Sequence, residues 1–149
     1  MYSTILWATD GAAGATDALD EAVKLLEPEG RLVAFHARQL FLGSHVAGTP
    51  VYPDEAARIM RLEHQVDELC EQGVKAELWV ESTFHGPVRT IAEAAEQVGA
   101  DAIVCSARVH HALLRVLEGS VSSRLIHEVS IPVVVVPQTA GITAGALVE

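Results

Sequence analysis

The chain has 149 residues, half of them apolar, and a formal net charge of −10 from 20 acidic and 10 basic residues. That length suits one domain able to bury its own core, and the apolar content argues against disorder in its body. The acidic balance repels phosphate backbones and anionic lipid, so nucleic acid and membrane are set aside as partners. Cys70 and Cys105 fit neither zinc nor redox spacing, and Cys105 sits in an apolar run as a buried free thiol does. No apolar run approaches the ~20 residues of a membrane helix. Met1 leads almost directly into a strand-like segment without a secretory pattern, so the chain reads as cytoplasmic.

Tyr2 to Thr9 is apolar and β-prone and ends at Asp10-Gly11, a first strand followed by a turn over Gly11 to Gly14. Thr16 to Leu26 carries Ala18, Leu19, Ala22, Val23, Leu25 and Leu26 on one helical face, and Glu27-Pro28-Glu29-Gly30 stops it. Arg31 to His36 reads as a second strand. Ala37 to Pro53 has no clean period and reads as a long loop. Asp54 then stands as the cap of a helix reaching about Gln72, with Ile59, Leu62, Val66 and Leu69 on its buried stripe and Gly73 at its end.

Val74 to Val80 alternates as a third strand, and Ser82 to His85 reads as a turn. Gly86-Pro87 opens a third helix that buries Val88, Ile91, Ala92, Ala95 and Val98 and closes at Gly99. Ala102 to Cys105 is a fourth strand. A polar, basic loop follows from Ser106 to His111, then a short helix from about Ser120 to Glu128 and a fifth strand, Val133 to Val136. The tail, Thr139 to Glu149, repeats Thr-Ala-Gly and reads as a flexible arm outside a domain of residues 1–138.

Strands that alternate with helices predict an α/β fold, a doubly wound parallel sheet with helices on both faces. Ligands in such sheets bind at the carboxyl ends of the strands, where the strand order reverses. That edge carries Thr9, Asp10 and Gly11, the end of the second strand near Ala37, and the loop from Ser106. Asp10 has two readings there, a hydrogen bond to a ribose or a cap on its own turn. Ser120 and Ser122 likewise either hold an anion or cap the helix, and the two roles are compatible. The scarce basic groups cluster at Arg108, His110, His111 and Arg115. Adjacent histidines point apart and lack a third ligand, so a solvated loop is the better reading and no metal site is assigned. His36 reads as structural, and Trp7 and Trp79 as core. No nucleophile elbow occurs, so no catalytic residue is assigned.

The segments ILWATDG, AFHA, FHGPVRTIAEAAEQVGADAIV and LEGSVSSRLIHEVSIPVVVV, in this order and spacing, make the chain resemble the universal stress protein family from Tyr2 to Pro137. The resemblance implies a five-stranded sheet of order 3-2-1-4-5, a cytoplasmic setting, and homodimers paired through the fifth strand, here Val133, Val134, Val135 and Val136. ATP-binding members carry a glycine, two residues, a second glycine, nine residues, and Gly-Ser or Gly-Thr. Aligned on Gly119-Ser120, the two earlier glycine positions hold Ser106 and Val109. Glycine there lets backbone approach phosphate closely, whereas the branched Val109 reshapes the loop or fills the phosphate space. Glu118 adds a negative charge beside it.

Other parts of the implied pocket remain. Asp10 matches the family aspartate beside the nucleotide, Gly11 keeps the backbone open, and Gly119, Ser120, Val121 and Ser122 keep a helix start with hydroxyls. Arg108, His110 and His111 supply compensating positive charge. The resemblance therefore implies a regulatory or binding protein of the stress response that acts through an unidentified protein partner. ATP is its candidate cofactor, bound weakly or not at all. The alternative is a nucleotide-responsive ATP-binding protein or weak ATPase with an altered phosphate loop.

Overall fold

The computed structural model describes residues 1–43, 47–108 and 121–138. Its strands are β1 (Tyr2–Ala8), β2 (Leu26–Gln39), β3 (Lys75–Thr83), β4 (Ala102–Arg108) and β5 (Val133–Gln138), and its helices α1 (Thr16–Leu25), α2 (Glu55–Glu71), α3 (Pro87–Val98) and α4 (Val121–Glu128). The strands form one sheet in the order β3-β2-β1-β4-β5, and every pairing is parallel. Class, strand order and helix count agree with the sequence reading.

Alternation along the central strand builds two cores. Ile5 and Trp7 of β1 join Leu32 and Ala34 of β2 under α1 and α2, where Ala18, Leu19, Ala22, Leu62, Val66 and Leu69 close the layer. Leu6 and Ala8 face the other way with Val33 and Phe35, against Val88, Ile91, Ala94 and Ala95 of α3 and Leu125 of α4. Ala92 and Val98, expected in the core, are only half-buried because Ala94 takes the inward place between Ile91 and Ala95. Trp7 is core as expected. Trp79 is half-buried near the sheet edge, its ring edge-to-face with Phe35 at 5.1 Å between centroids.

Several strands run further than their apolar runs suggested. Leu26 already pairs with Tyr2, and a shift in register between Tyr2 and Thr4 absorbs the Glu27 to Gly30 segment as a bulge rather than a stop. At its far end β2 continues through Ala37, Arg38 and Gln39, paired with Glu81, Ser82 and Thr83. Ser82 and Thr83 therefore belong to β3 and not to a turn. The expected loop from Ala37 is shortened further by a bridge between Leu40 and Pro50, with bonds from Phe41 N to Thr49 O and Val51 N to Gln39 O, both 2.8 Å. Backbone pairing extends strands through polar residues wherever a partner edge is available.

The same correction applies to Ser106, Ala107 and Arg108, which lie in β4 opposite Val136, Pro137 and Gln138 and not in a loop. β3 carries charge along its open edge, with Lys75 paired to Glu29 at 2.9 Å and Glu77 paired to Arg31. β5 presents Val-Val-Val-Val-Pro-Gln instead. Cys105 is buried, and burial pushes its thiol up to about 11. The expected tail, residues 139–149, lies outside the described residues. Among the described residues no helix is long and apolar enough to cross a membrane.

Leu62 is fully buried between α2 and the sheet, whereas Met60 on the same helix is 68% exposed. Leu62→Ala is expected to lower unfolding free energy by about 2–5 kcal/mol. Met60→Ala is expected to change it by less than about 0.5 kcal/mol. Urea titration followed by circular dichroism measures both.

Candidate functional site

The strand order reverses between β1 and β4, and the turn after β1 stands at that reversal. Thr9 is buried, and its Oγ1 accepts from Gly11 N at 3.1 Å. Asp10 is half-exposed, and its Oδ1 accepts from Ala12 N at 2.9 Å, so it caps its own turn. Gly11 is buried with φ +73°, and a Cβ there would lie 2.8 Å from Arg58 Cβ. The left-handed backbone and the close approach of α2 each call for glycine.

The first turn of α2 supplies what the sequence reading missed. Arg58 Nη1 donates to Asp10 O at 3.0 Å and stands 3.6 Å from Asp10 Oδ2. Its Nε donates to Asp54 Oδ1 at 2.9 Å, and its guanidinium lies 3.9 Å from the Tyr52 ring centroid. Burial works against this cation, but the bond to Asp54 and the charges of Asp10 and Asp54 outweigh it and hold its charge more firmly than usual. In return, the Arg58 hydrogen bond holds the Asp54 carboxyl below its ordinary range. Asp54 was expected to cap the helix, yet its side chain makes no cap bond because the guanidinium takes its oxygen. Arg61 Nη1 donates to Gly11 O.

Beneath the turn, His36 is fully buried. Its Nδ1 meets Thr9 O at 3.1 Å, and its Nε2 meets Oε1 of Glu55, itself only 4% exposed. Glu55 Oε2 has no hydrogen-bond partner. The reading of His36 as structural holds, but its partners make it part of the site's foundation. A signal existed: counting back from Leu62 by four and seven along the buried stripe reaches Arg58 and Glu55, charged residues where apolar ones are expected.

The other candidate residues are placed unevenly. Ser106 is half-buried in β4, one residue past Cys105, whose pairing with Ala8 ends the β1–β4 ladder. Ala37 is buried in β2, opposite Glu81 of the neighbouring strand. Val121 is the first residue of α4 and Ser122 is buried within it. Val109, His110, His111, Arg115, Glu118, Gly119 and Ser120 lie outside the described residues, as does the side chain of Arg108. Among the described residues no group of three His, Cys, Asp or Glu side chains is placed to hold a metal ion.

The family model for "Universal stress protein family" matches residues 1–137. The chain belongs to the universal stress protein family. Solved members of the family superpose over most of its length. A protein of this family from Burkholderia pseudomallei is 26% identical, with 91% of this chain and 96% of that one covered and a TM-score of 0.62. A universal stress protein in complex with cAMP is 22% identical, with 92% and 98% covered and a TM-score of 0.65. A family protein from Arabidopsis thaliana with AMP bound is 15% identical, with 97% and 98% covered and a TM-score of 0.63. No curated protein sequence matches the chain. The order 3-2-1-4-5 is the family fold.

Gly11→Ala is expected to destabilise the protein by about 2 kcal/mol or more, from left-handed strain of about 1–2 kcal/mol plus the collision with Arg58. Gly48 also has positive φ, but nothing lies within 4 Å of an added Cβ, so Gly48→Ala is expected to show the strain alone. Thermal melts of the two variants separate the contributions.

Proposed function

We propose that this protein is a non-catalytic, cytoplasmic regulatory member of its family, a homodimer whose adenine-nucleotide pocket keeps the nucleoside end and has lost its grip on a triphosphate. The observation that carries this reading is the contrast between the two sides of the switch point. On one side, the Asp10 turn keeps a half-exposed carboxylate in a fixed orientation, while Gly11 behind it is buried against α2. On the other, β4 runs in regular pairing through Arg108, with Ser106 where the ATP motif begins with glycine. A chain committed to a strand ladder points its amides at the neighbouring strand and not at phosphate oxygens.

Two structural neighbours support the nucleoside half of the proposal, since they were solved with cAMP and with AMP, each carrying a single phosphate. Calorimetry of the purified protein is expected to give AMP binding at least as tight as that of ATP-Mg, with ATP-Mg at about 1 mM or weaker. Asp10→Ala is expected to weaken AMP binding roughly tenfold, about 1.4 kcal/mol. Micromolar ATP-Mg binding at one per chain would instead establish the nucleotide-responsive reading, with weak ATPase activity to be assayed next.

The dimer is proposed to form edge to edge through β5. Ile103 N donates to Pro132 O at 2.9 Å, which fixes the phase of the parallel ladder. Val134 and Val136 then turn their backbone groups to β4, and Val133 and Val135 turn theirs outward. Val135→Pro removes one outward donor and leaves the ladder to β4 untouched. Light scattering is expected to report a monomer for this variant and a dimer for the parent. A dimer mass in both would place the interface elsewhere.

A further inference from the structure

We propose that His36 and Glu55 form a proton-sharing latch that positions the Thr9–Asp10–Gly11 turn, with Glu55 acting through His36 as a positioning residue. The argument begins with what a carbonyl can do. Thr9 O only accepts, so His36 Nδ1, 3.1 Å away, carries a hydrogen. The other ring nitrogen, Nε2, faces Glu55 Oε1, and that contact needs one proton between the two atoms. The proton resides on nitrogen, giving imidazolium and carboxylate, or on oxygen, giving imidazole and carboxylic acid. Both forms have zero net charge and the same geometry. Without that proton, a nitrogen lone pair faces a carboxylate oxygen in a site from which water is excluded, and the contact becomes repulsive.

The latch joins three elements. His36 lies on β2, Glu55 begins α2, and Thr9 directly follows the central strand. From Thr9 the chain passes directly to Gly11 N bonded to Thr9 Oγ1 and to Ala12 N bonded to Asp10 Oδ1. A shift of the imidazole therefore moves the carbonyl from which the turn hangs. The same turn is also held from above by Arg58 and Arg61 of α2, which donate to Asp10 O and Gly11 O. From β3, Val80 stands opposite His36 and brings no charge.

This inference rests on the reading that the Asp10 turn faces the ligand, but its test observes the turn itself without nucleotide, so either can fail alone. The experiment is amide hydrogen exchange by NMR on the wild type, Glu55→Ala and Glu55→Gln, with protection at Gly11 and Ala12 compared with that at Leu6 and Val104 in the cores. In Glu55→Ala, protection at Gly11 and Ala12 is expected to fall about tenfold more than at the core amides. In Glu55→Gln the amide donates to Nε2 and keeps the imidazole in its neutral tautomer, so protection returns to within about twofold of wild type.

Rescue by the amide separates positioning from packing, because Gln can donate to Nε2 and a side chain without a donor cannot. Equal loss at turn and core in Glu55→Ala, or a loss at the turn in Glu55→Gln as large as in Glu55→Ala, overturns the proposal. If Glu55→Ala does not fold, Glu55→Met, similar in length to Gln but without a donor, takes its place, and equal protection at the turn in Glu55→Met and Glu55→Gln overturns the proposal.

Discussion

The first turn of α2 rests on bare backbone at Gly11, and the geometry of the β1 end follows from that contact. The distance from a hypothetical Cβ to Arg58 Cβ, 2.8 Å, leaves no room for any side chain. Because the helix comes this close, successive residues on its inner face find polar partners in sequence. Glu55 reaches His36, Arg58 reaches the carbonyl and carboxylate of Asp10, and Arg61 reaches Gly11 O. A buried guanidinium is costly on its own, but Arg58 has Asp54, Asp10 and the face of Tyr52 around it. Arg58 itself is buried, but the carboxylates of Asp10 and Asp54 keep a face to solvent, which screens these pairs.

The two sides of the switch point are held by different means. At the β1 turn, side chains and a helix turn over-determine the backbone, so the carboxylate of Asp10 is presented in one orientation. At β4, ladder bonds to β5 carry the chain in extended form through Arg108. Ser106, which stands where the family's ATP motif begins with glycine, is thus part of a regular strand. The proposed loss of triphosphate binding draws on that placement.

Most of the fold was legible because it rests on periodicity. The alternating strands, the helical stripes of Leu62, Val66 and Leu69, and the closing glycines at 73 and 99 all produced elements where expected. What failed was local polarity used as a stop signal. Glu27-Pro28-Glu29-Gly30 and Ser106-Ala107-Arg108 look like loops, yet each lies beside an edge with free backbone groups, and pairing wins. Asp10 and Gly11 could be singled out because their chemistry is local. Arg58, Arg61 and Glu55 could not, since their partners lie 48, 50 and 19 residues away, and only the fold brings them together. Asp54 shows the converse, a good cap by sequence whose oxygen is claimed by a residue one turn along.

The two borders of the sheet are not alike. Lys75, Glu77 and Glu81 line β3, whereas β5 offers four valines and a proline. A strand arriving at β3 would have to strip water from fixed charges, and one arriving at β5 would not. If the proposed pairing through β5 forms, it covers the apolar border and leaves the charged one outside, so the assembly closes at two copies and does not grow into an endless ribbon.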